Sequence, residues 1–181
     1  MDRSAAPAAP RVPPRPTAAA RGTSTSTSPE ETRSIGRALG AAARPGTFVA
    51  LIGPLGAGKT VLAKGIAQGL GVTSVVNSPT FVLMNEHRGR LPFYHVDAYR
   101  LNDPEEALAA GLLDDRQAGG VTVVEWADRL GDWLPEERLE LELAPDGLGD
   151  RRILAWQAFG AAHEQLASTL AAATKPARAE Q

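Results

Sequence analysis

The stretch that decides the fold is residues 53–60, which read GPLGAGKT and fit the pattern G-x-x-x-x-G-K-[ST] in full. In order, its members are Gly53, Pro54, Leu55, Gly56, Ala57, Gly58, Lys59 and Thr60. The unbroken apolar run 48–52 precedes the stretch and predicts a buried central strand, and the apolar spacing over 59–69 predicts a helix after it. A strand, a glycine-rich turn and a helix in this order predict a phosphate-binding loop.

Each part of this loop has a physical reason. Glycine lets the backbone approach an anion closely, so the amides of residues 55–60 can point at phosphate oxygens. The start of the following helix adds the positive end of its dipole. We expect the Lys59 ammonium to reach the β- and γ-phosphates and the Thr60 hydroxyl to bind Mg²⁺. The chain has no N-K-x-D motif for reading guanine, which favours ATP as the nucleotide.

Two acidic residues end apolar strands of the predicted sheet. Glu125 follows the run 121–124, and Asp97 ends a strand predicted over 92–97. Because ligands of α/β proteins bind at the carboxyl edge of the sheet, both acids are candidates for the site beside the loop. We predict that Glu125 binds the metal together with Thr60, and that Asp97 orients the attacking water or binds the metal through water.

Four side chains near these acids have two interpretations each. His95 shares a strand face with Asp97, and we favour a structural histidine over a partner of the acids. Trp126 either stacks near the nucleotide or closes the core. Ser78 and Thr80 belong to a Ser-Pro-Thr segment, which is either an ordinary turn before a strand or a switch whose hydroxyl contacts the γ-phosphate side of Mg²⁺.

The charge of the chain is divided unevenly. The 181 residues carry a net charge of −2, but residues 1–27 hold four arginines against one aspartate, so they carry +3 and leave −5 to the rest. Residues 1–27 also hold five prolines and no apolar periodicity. We therefore predict a disordered tail over 1–27, one domain over 28–173 and a second disordered end over 174–181. The acidic remainder argues against tRNA binding by this chain alone.

Composition excludes several classes of protein. The chain has no cysteine, which excludes a disulfide framework, a thiolate zinc site and a cysteine nucleophile. No apolar run approaches the roughly 20 residues that cross a bilayer, and none has the form of a secretory signal. We expect a cytoplasmic protein without a membrane segment.

Capping signals and apolar runs outline a single α/β domain. Ser28, Pro29 and Glu31 form a capping box that predicts the start of the first helix. Strands predicted over 80–86 and 92–97 flank a turn and predict an antiparallel hairpin. A short helix is predicted to begin at residue 103. The fold that we predict is a P-loop NTPase domain with a mixed, mostly parallel sheet flanked by helices.

Five motifs in this order resemble those of the TsaE family. They are GPLGAGKT at 53–60, SPTF at 78–81, HVDAYRL at 95–101, DPEE at 103–106 and VEW at 124–126. The resemblance implies a bacterial P-loop ATPase that binds ATP and Mg²⁺ and hydrolyses ATP slowly on its own. It also implies partnership with the subunits TsaD and TsaB, which transfer threonylcarbamoyl to adenosine 37 of tRNA. The chain would then meet tRNA only through that complex.

The resemblance also implies roles for matched positions. Thr60 and Glu125 match the metal-binding pair, and Asp97 and Trp126 match the functional acid and tryptophan of the family. Ser78 and Thr80 match its switch-like loop. One position departs from the pattern, because Pro54 stands where the family usually has an acidic residue. Proline has no N–H, so any phosphate contact from that amide is lost.

Two other functions would use the same loop. A small-molecule kinase needs an acceptor pocket and usually a basic lid, but between Lys64 and Asp97 the basic residues are Arg88 and Arg90 alone, at the tip of the predicted hairpin. A nucleotide-gated binding module would bind ATP without useful hydrolysis. The kinase remains our alternative to the ATPase.

Overall fold

The computed structural model describes residues 17–79, 83–101, 111, 115–147 and 149–173. Its strands are β1 (Ala20–Ser26), β2 (Thr47–Ile52), β3 (Met84–His87), β4 (Phe93–Asp97), β5 (Val121–Glu125), β6 (Arg138–Pro145) and β7 (Arg152–Phe159). Its α-helices are α1 (Pro29–Ala42), α2 (Lys59–Gly69) and α3 (Ala161–Ala173). Short 3-10 helices cover Ala98–Arg100, Asp115–Gly119 and Ala127–Trp133.

The seven strands of the described residues form one sheet in the order β1-β7-β6-β2-β5-β4-β3. Its centre is parallel, because β2 pairs with both β5 and β6, and β5 pairs with β4. Antiparallel pairs flank this centre on both sides. The predicted α/β fold, mixed sheet and hairpin of β3 and β4 are confirmed. Residues 80–82 of the predicted first hairpin strand and the helix predicted at 103 lie outside the described residues.

The central strand β2 is buried on both faces. Val49 and Leu51 pack into an apolar cluster with the three α-helices, while Phe48 and Ala50 pack on the other face with the 3-10 helix Ala127–Trp133. Burial on both sides explains why the run 48–52 shows no polar alternation. Because β2 is held on both faces, the loop at 53–60 that follows it has a fixed position at the carboxyl edge of the sheet.

The start of α1 is confirmed, with one difference in its cap. The Ser28 hydroxyl accepts a hydrogen bond of 3.1 Å from the Glu31 amide, as in the predicted capping box. The Glu31 carboxylate, however, accepts from the amide (2.6 Å) and hydroxyl (2.8 Å) of Thr27 instead of from the amide of Ser28. The backbone and side-chain hydrogen bonds from Thr27 lower the pKa of Glu31 below its ordinary value.

The prediction of a disordered tail over 1–27 is wrong from residue 20 onward. Ala20–Ser26 forms β1, which pairs along its whole length with β7. Its buried positions are Ser24 and Ser26, so no apolar periodicity marks the strand in the sequence. At Gly22 a Cβ would lie 2.8 Å from Cε2 of Trp156, so the glycine makes room for that indole. Residues 1–16 and 174–181 lie outside the described residues.

Helices α1 and α2 pack backbone against backbone through four glycines, Gly36 and Gly40 on α1 and Gly65 and Gly69 on α2. A Cβ at Gly36 would lie 2.9 Å from the Cα of Gly65, and one at Gly40 would lie 3.0 Å from the Cα of Gly69. A spacing of four residues places both glycines of a helix on one face. This contact fixes the position of α2, whose first residue is Lys59.

Candidate functional site

The loop at 53–60 connects β2 to α2 and takes a shape that its glycines permit. Gly53 and Gly58 have φ values of 138° and 104°, which side-chain-bearing residues rarely adopt. A Cβ at Gly53 would also lie 3.2 Å from the carbonyl carbon of Leu143 on β6, with the carbonyl oxygen closer still. Gly58 is the N-cap of α2 and supplies no side chain to its first amides. Those amides are therefore available to an anion in front of the helix.

Lys59 is folded back onto this loop. Its ammonium donates to the carbonyl oxygens of Gly53 (2.6 Å) and Pro54 (2.9 Å), and the residue is only 4% exposed. The same nitrogen lies 3.6 Å from the centre of the Trp126 ring, a cation–π contact. Burial lowers the pKa of Lys59, while Glu125 and other acids nearby oppose the shift. The Lys59 ammonium thus contacts two backbone carbonyls and an aromatic ring, which are uncharged groups that a phosphate can replace.

Thr60 and Glu125, the predicted metal-binding pair, are in direct contact. The Thr60 hydroxyl donates a hydrogen bond of 2.8 Å to Oε2 of Glu125, which is 3% exposed. Asp97 stands beside Glu125 because the two are register partners in the parallel pairing of β4 and β5. The structure therefore brings both predicted acids to the loop.

Asp97 also organises the segment before β3. Its Oδ2 accepts a hydrogen bond from the Ser78 hydroxyl, and its Oδ1 accepts one of 3.0 Å from the amide of Tyr99. Ser78 therefore lies at the site, while Thr80 is outside the described residues. The loop, Ser78, both acids and Trp126 line a cavity of about 530 Å³.

His95 contacts one of the two acids, Glu125, contrary to the interpretation that we favoured from the sequence. It is fully buried, and its Nε2 lies 2.8 Å from Oε1 of Glu125. A carboxylate only accepts hydrogen bonds, so we assign Nε2 of His95 as the donor. The local pattern could not show this contact, because His95 and Glu125 come from different strands.

Trp126 closes part of the core, as one of its two interpretations predicts, and it also lines the cavity. It packs at the edge of the second apolar cluster, and its ring also covers Lys59 and lies 4.9 Å from the ring of Tyr99. Its φ of 59° makes it the one non-glycine residue with a positive φ among the described residues. A bulky side chain in this region costs about 1–3 kcal/mol, a strain typical of functional sites.

One contact at the loop has no signal in the sequence. Arg152, the first residue of β7, donates from Nε to the carbonyl of Ala57 (3.2 Å) and from Nη2 to that of Gly56 (3.4 Å). Leu55, at the tip of the loop, is 85% exposed. Among the described residues there is no cluster of three or more His, Cys, Asp or Glu residues that could hold a metal.

Comparisons of the sequence with known proteins find a family model and several relatives. A family model described as threonylcarbamoyl adenosine biosynthesis protein TsaE matches residues 26–153. A Bacillus subtilis protein named tRNA threonylcarbamoyladenosine biosynthesis protein TsaE is 44% identical over 143 residues, which cover 78% of this chain and 89% of the relative. A Mycobacterium bovis protein of the same name is 43% identical over 144 residues, covering 75% and 86%.

A solved structure is similar as well. The chain superimposes on the crystal structure of Bacillus subtilis YdiB with a TM-score of 0.70 and 36% identity, covering 84% of this chain and 95% of that one. None of the helices in the described part of the chain is long and apolar enough to span a membrane.

Proposed function

Because the chain belongs to the TsaE family of tRNA threonylcarbamoyladenosine biosynthesis proteins, we propose that it is a slow, Mg²⁺-dependent ATPase of that pathway. The observation that carries the proposal is the convergence of Lys59, Thr60 and Glu125 on one loop at the carboxyl edge of the sheet. Asp97 stands next to them, and the cavity that they line is open to a ligand. In this proposal the chain acts in the cytoplasm.

The donor set fits Mg²⁺ bound together with a nucleotide. Mg²⁺ prefers oxygen ligands and usually keeps several waters, so one or two protein groups with substrate phosphates complete its shell. Thr60 offers a hydroxyl oxygen and Glu125 a carboxylate oxygen, and the two are already in contact. Thr60 and Glu125 would hold Mg²⁺, which would offset the negative charge of the nucleotide phosphates.

The loop would bind the phosphates through backbone amides and one cation. The amides of residues 55–60 would surround the phosphates, while Pro54 has no N–H to donate. Lys59 would exchange the neutral carbonyl oxygens of Gly53 and Pro54 for phosphate oxygens, which carry a charge opposite to its own. Arg152 supports the loop by its hydrogen bonds to two loop carbonyls. The Trp126 ring lies against the Lys59 ammonium, 3.6 Å from ring centre to nitrogen.

Asp97 would orient the water that attacks the γ-phosphate. Its position opposite Glu125 on the neighbouring strand suits that role, and its bond from Ser78 links it to the segment that precedes β3. We propose that Ser78 and Thr80 respond to the γ-phosphate as a switch. Such a change would pass the nucleotide state to TsaD and TsaB, the partners that we propose, and through them to tRNA.

The experiment is ATP hydrolysis by the full chain, alone and with TsaD and TsaB from the same pathway. We expect slow phosphate release alone and faster release with both partners. Lys59→Met should abolish both rates. Lys64→Met is the matched control, because it removes the same charge from the same helix at a residue that does not line the cavity. A rate that does not depend on the partners would contradict the proposal, and labelled phosphate on a small-molecule acceptor would favour the kinase.

A further inference from the structure

We propose that His95 is a positioning residue, which fixes the carboxylate of Glu125 for its role with Mg²⁺; this inference rests on the proposed function. The two oxygens of Glu125 have different partners. Oε1 lies 2.8 Å from Nε2 of His95, and Oε2 accepts the hydrogen bond of 2.8 Å from Thr60. Oε1 is thus held by a residue of the neighbouring strand β4, while Oε2 faces the loop.

The backbone places the ring under the carboxylate. His95 pairs with Val123 in the parallel register of β4 and β5, and Asp97 pairs with Glu125. Side chains two residues apart on a strand share a face, so His95 and Glu125 are diagonal neighbours on one face of the sheet. Both belong to central strands, which hold a side chain more firmly than a loop does.

The polar contacts of His95 point to this one task. The ring is fully buried, and its other nitrogen, Nδ1, has no hydrogen-bond partner among the described residues. The ring of Phe93 lies 5.9 Å away, centre to centre. Within the part of the chain that the structure describes, the carboxylate of Glu125 is therefore the one polar group with which the ring forms a hydrogen bond.

A fixed carboxylate matters for metal binding because the oxygen that faces the loop, Oε2, must be in place before the metal arrives. Without the bond from His95, Oε1 of Glu125 would be buried without that donor, and the carboxylate would be free to rotate away from Thr60. Loss of a group that orients a metal ligand typically costs about 10–100-fold in metal affinity. Nucleotide binding in the absence of metal does not use this carboxylate and should not change.

The experiment measures the Mg²⁺ concentration for half-maximal binding of a fluorescent ATP analogue to the full chain, and its Kd in EDTA. His95→Leu should raise the Mg²⁺ midpoint about 10–100-fold and leave the Kd in EDTA within about twofold. His95→Gln should keep the midpoint within about threefold, because its amide nitrogen can take the place of Nε2. The matched control is His87→Leu, since His87 also packs against Phe93 but bonds Ser74 instead of Glu125.

A second pair of variants covers the case in which His95→Leu does not fold. The amide of His95→Asn is too short to reach Glu125, so this variant should lose Mg²⁺ affinity while His95→Gln keeps it. An unchanged midpoint in folded His95→Leu or His95→Asn would overturn the inference, and so would equal loss in the Gln and Asn variants. If the wild-type chain binds no ATP analogue at any Mg²⁺ concentration, the proposed function itself fails.

Discussion

Replacing Gly40 of α1 by alanine tests whether the helix contact behind the loop is as close as described. A Cβ there would lie 2.8 Å from the carbonyl carbon of Ile66 and 3.0 Å from the Cα of Gly69, with the carbonyl oxygen of Ile66 closer still. All of these atoms belong to the backbone of α2, so no flexible side chain can move aside. The two helices must separate, or one must rotate.

Two effects of opposite sign decide the size of the change. In a helix, alanine is favoured over glycine by about 1 kcal/mol, so propensity alone predicts a more stable protein. Overpacking costs about 1–3 kcal/mol and occasionally more. The Cβ of Gly40→Ala would meet three backbone atoms of α2, so we expect a cost at or above the upper end of this range. We expect a net loss of about 2 kcal/mol, which lowers Tm by about 4–8 °C for a domain of this size.

The assay is urea unfolding followed by circular dichroism. The control is the pair Ser34→Ala and Ser34→Gly, because Ser34 is exposed in the middle of the same helix and reports the propensity alone. There the alanine variant should be the more stable by about 1 kcal/mol. If Gly40→Ala is as stable as wild type or more stable, the close packing of α1 on α2 is not as described, and the reasoning fails.

Three further predictions concern the site and the opposite end of β2. Glu125→Gln should leave Tm within about 2 °C of the wild-type value, because an amide can accept a hydrogen bond from one of its two partners, His95 and Thr60, and donate one to the other. Its affinity for Mg²⁺, measured by calorimetry, should fall at least about tenfold. Arg152→Ala should weaken ATP binding about fivefold, equivalent to about 1 kcal/mol of lost hydrogen bonding at the loop, whereas Arg151→Ala, which loses only an ion pair elsewhere, should not. Burial lowers the pKa of His163 below its ordinary 6.5, and the neutral ring accepts a hydrogen bond from the Phe48 amide. As the pH falls, the unfolded chain therefore protonates His163 at a higher pH than the folded protein does. The contribution of His163 to the free energy of unfolding is full above pH 6.5 and falls as the pH drops towards the lower folded pKa. In urea unfolding measured from pH 7.5 to 5.5, His163→Gln should lack the part of the pH dependence of this free energy that His163 contributes.

Most of the fold and the centre of the site could be predicted from local patterns in the sequence. The apolar run 48–52, the glycines at 53–60 and the helical spacing after them are contiguous, so their structure could be predicted from neighbours alone. Glu125 and Asp97 could be placed because each ends a strand, and parallel register then sets them side by side. The hydrogen bond between Thr60 and Glu125 joins two side chains that the sequence predicts to bind the same metal.

Contacts between distant segments escaped prediction. Strand β1 buries Ser24 and Ser26 instead of apolar residues, and its partner β7 lies more than 120 residues further along the chain. Arg152 reaches the loop only because β7 returns next to β6, which no local signal specifies. His95 was read as structural because the bond to Glu125 joins two strands.

The central claim is that this site binds ATP through Lys59, and the most direct measurement is calorimetric titration of the full chain with ATP and Mg²⁺. We predict one site per chain in the wild type and in Lys64→Met. In Lys59→Met we predict affinity at least about tenfold lower, because a charge-assisted bond contributes about 1.5–3 kcal/mol. Equal affinity in Lys59→Met, or no binding by the wild type, would contradict the claim.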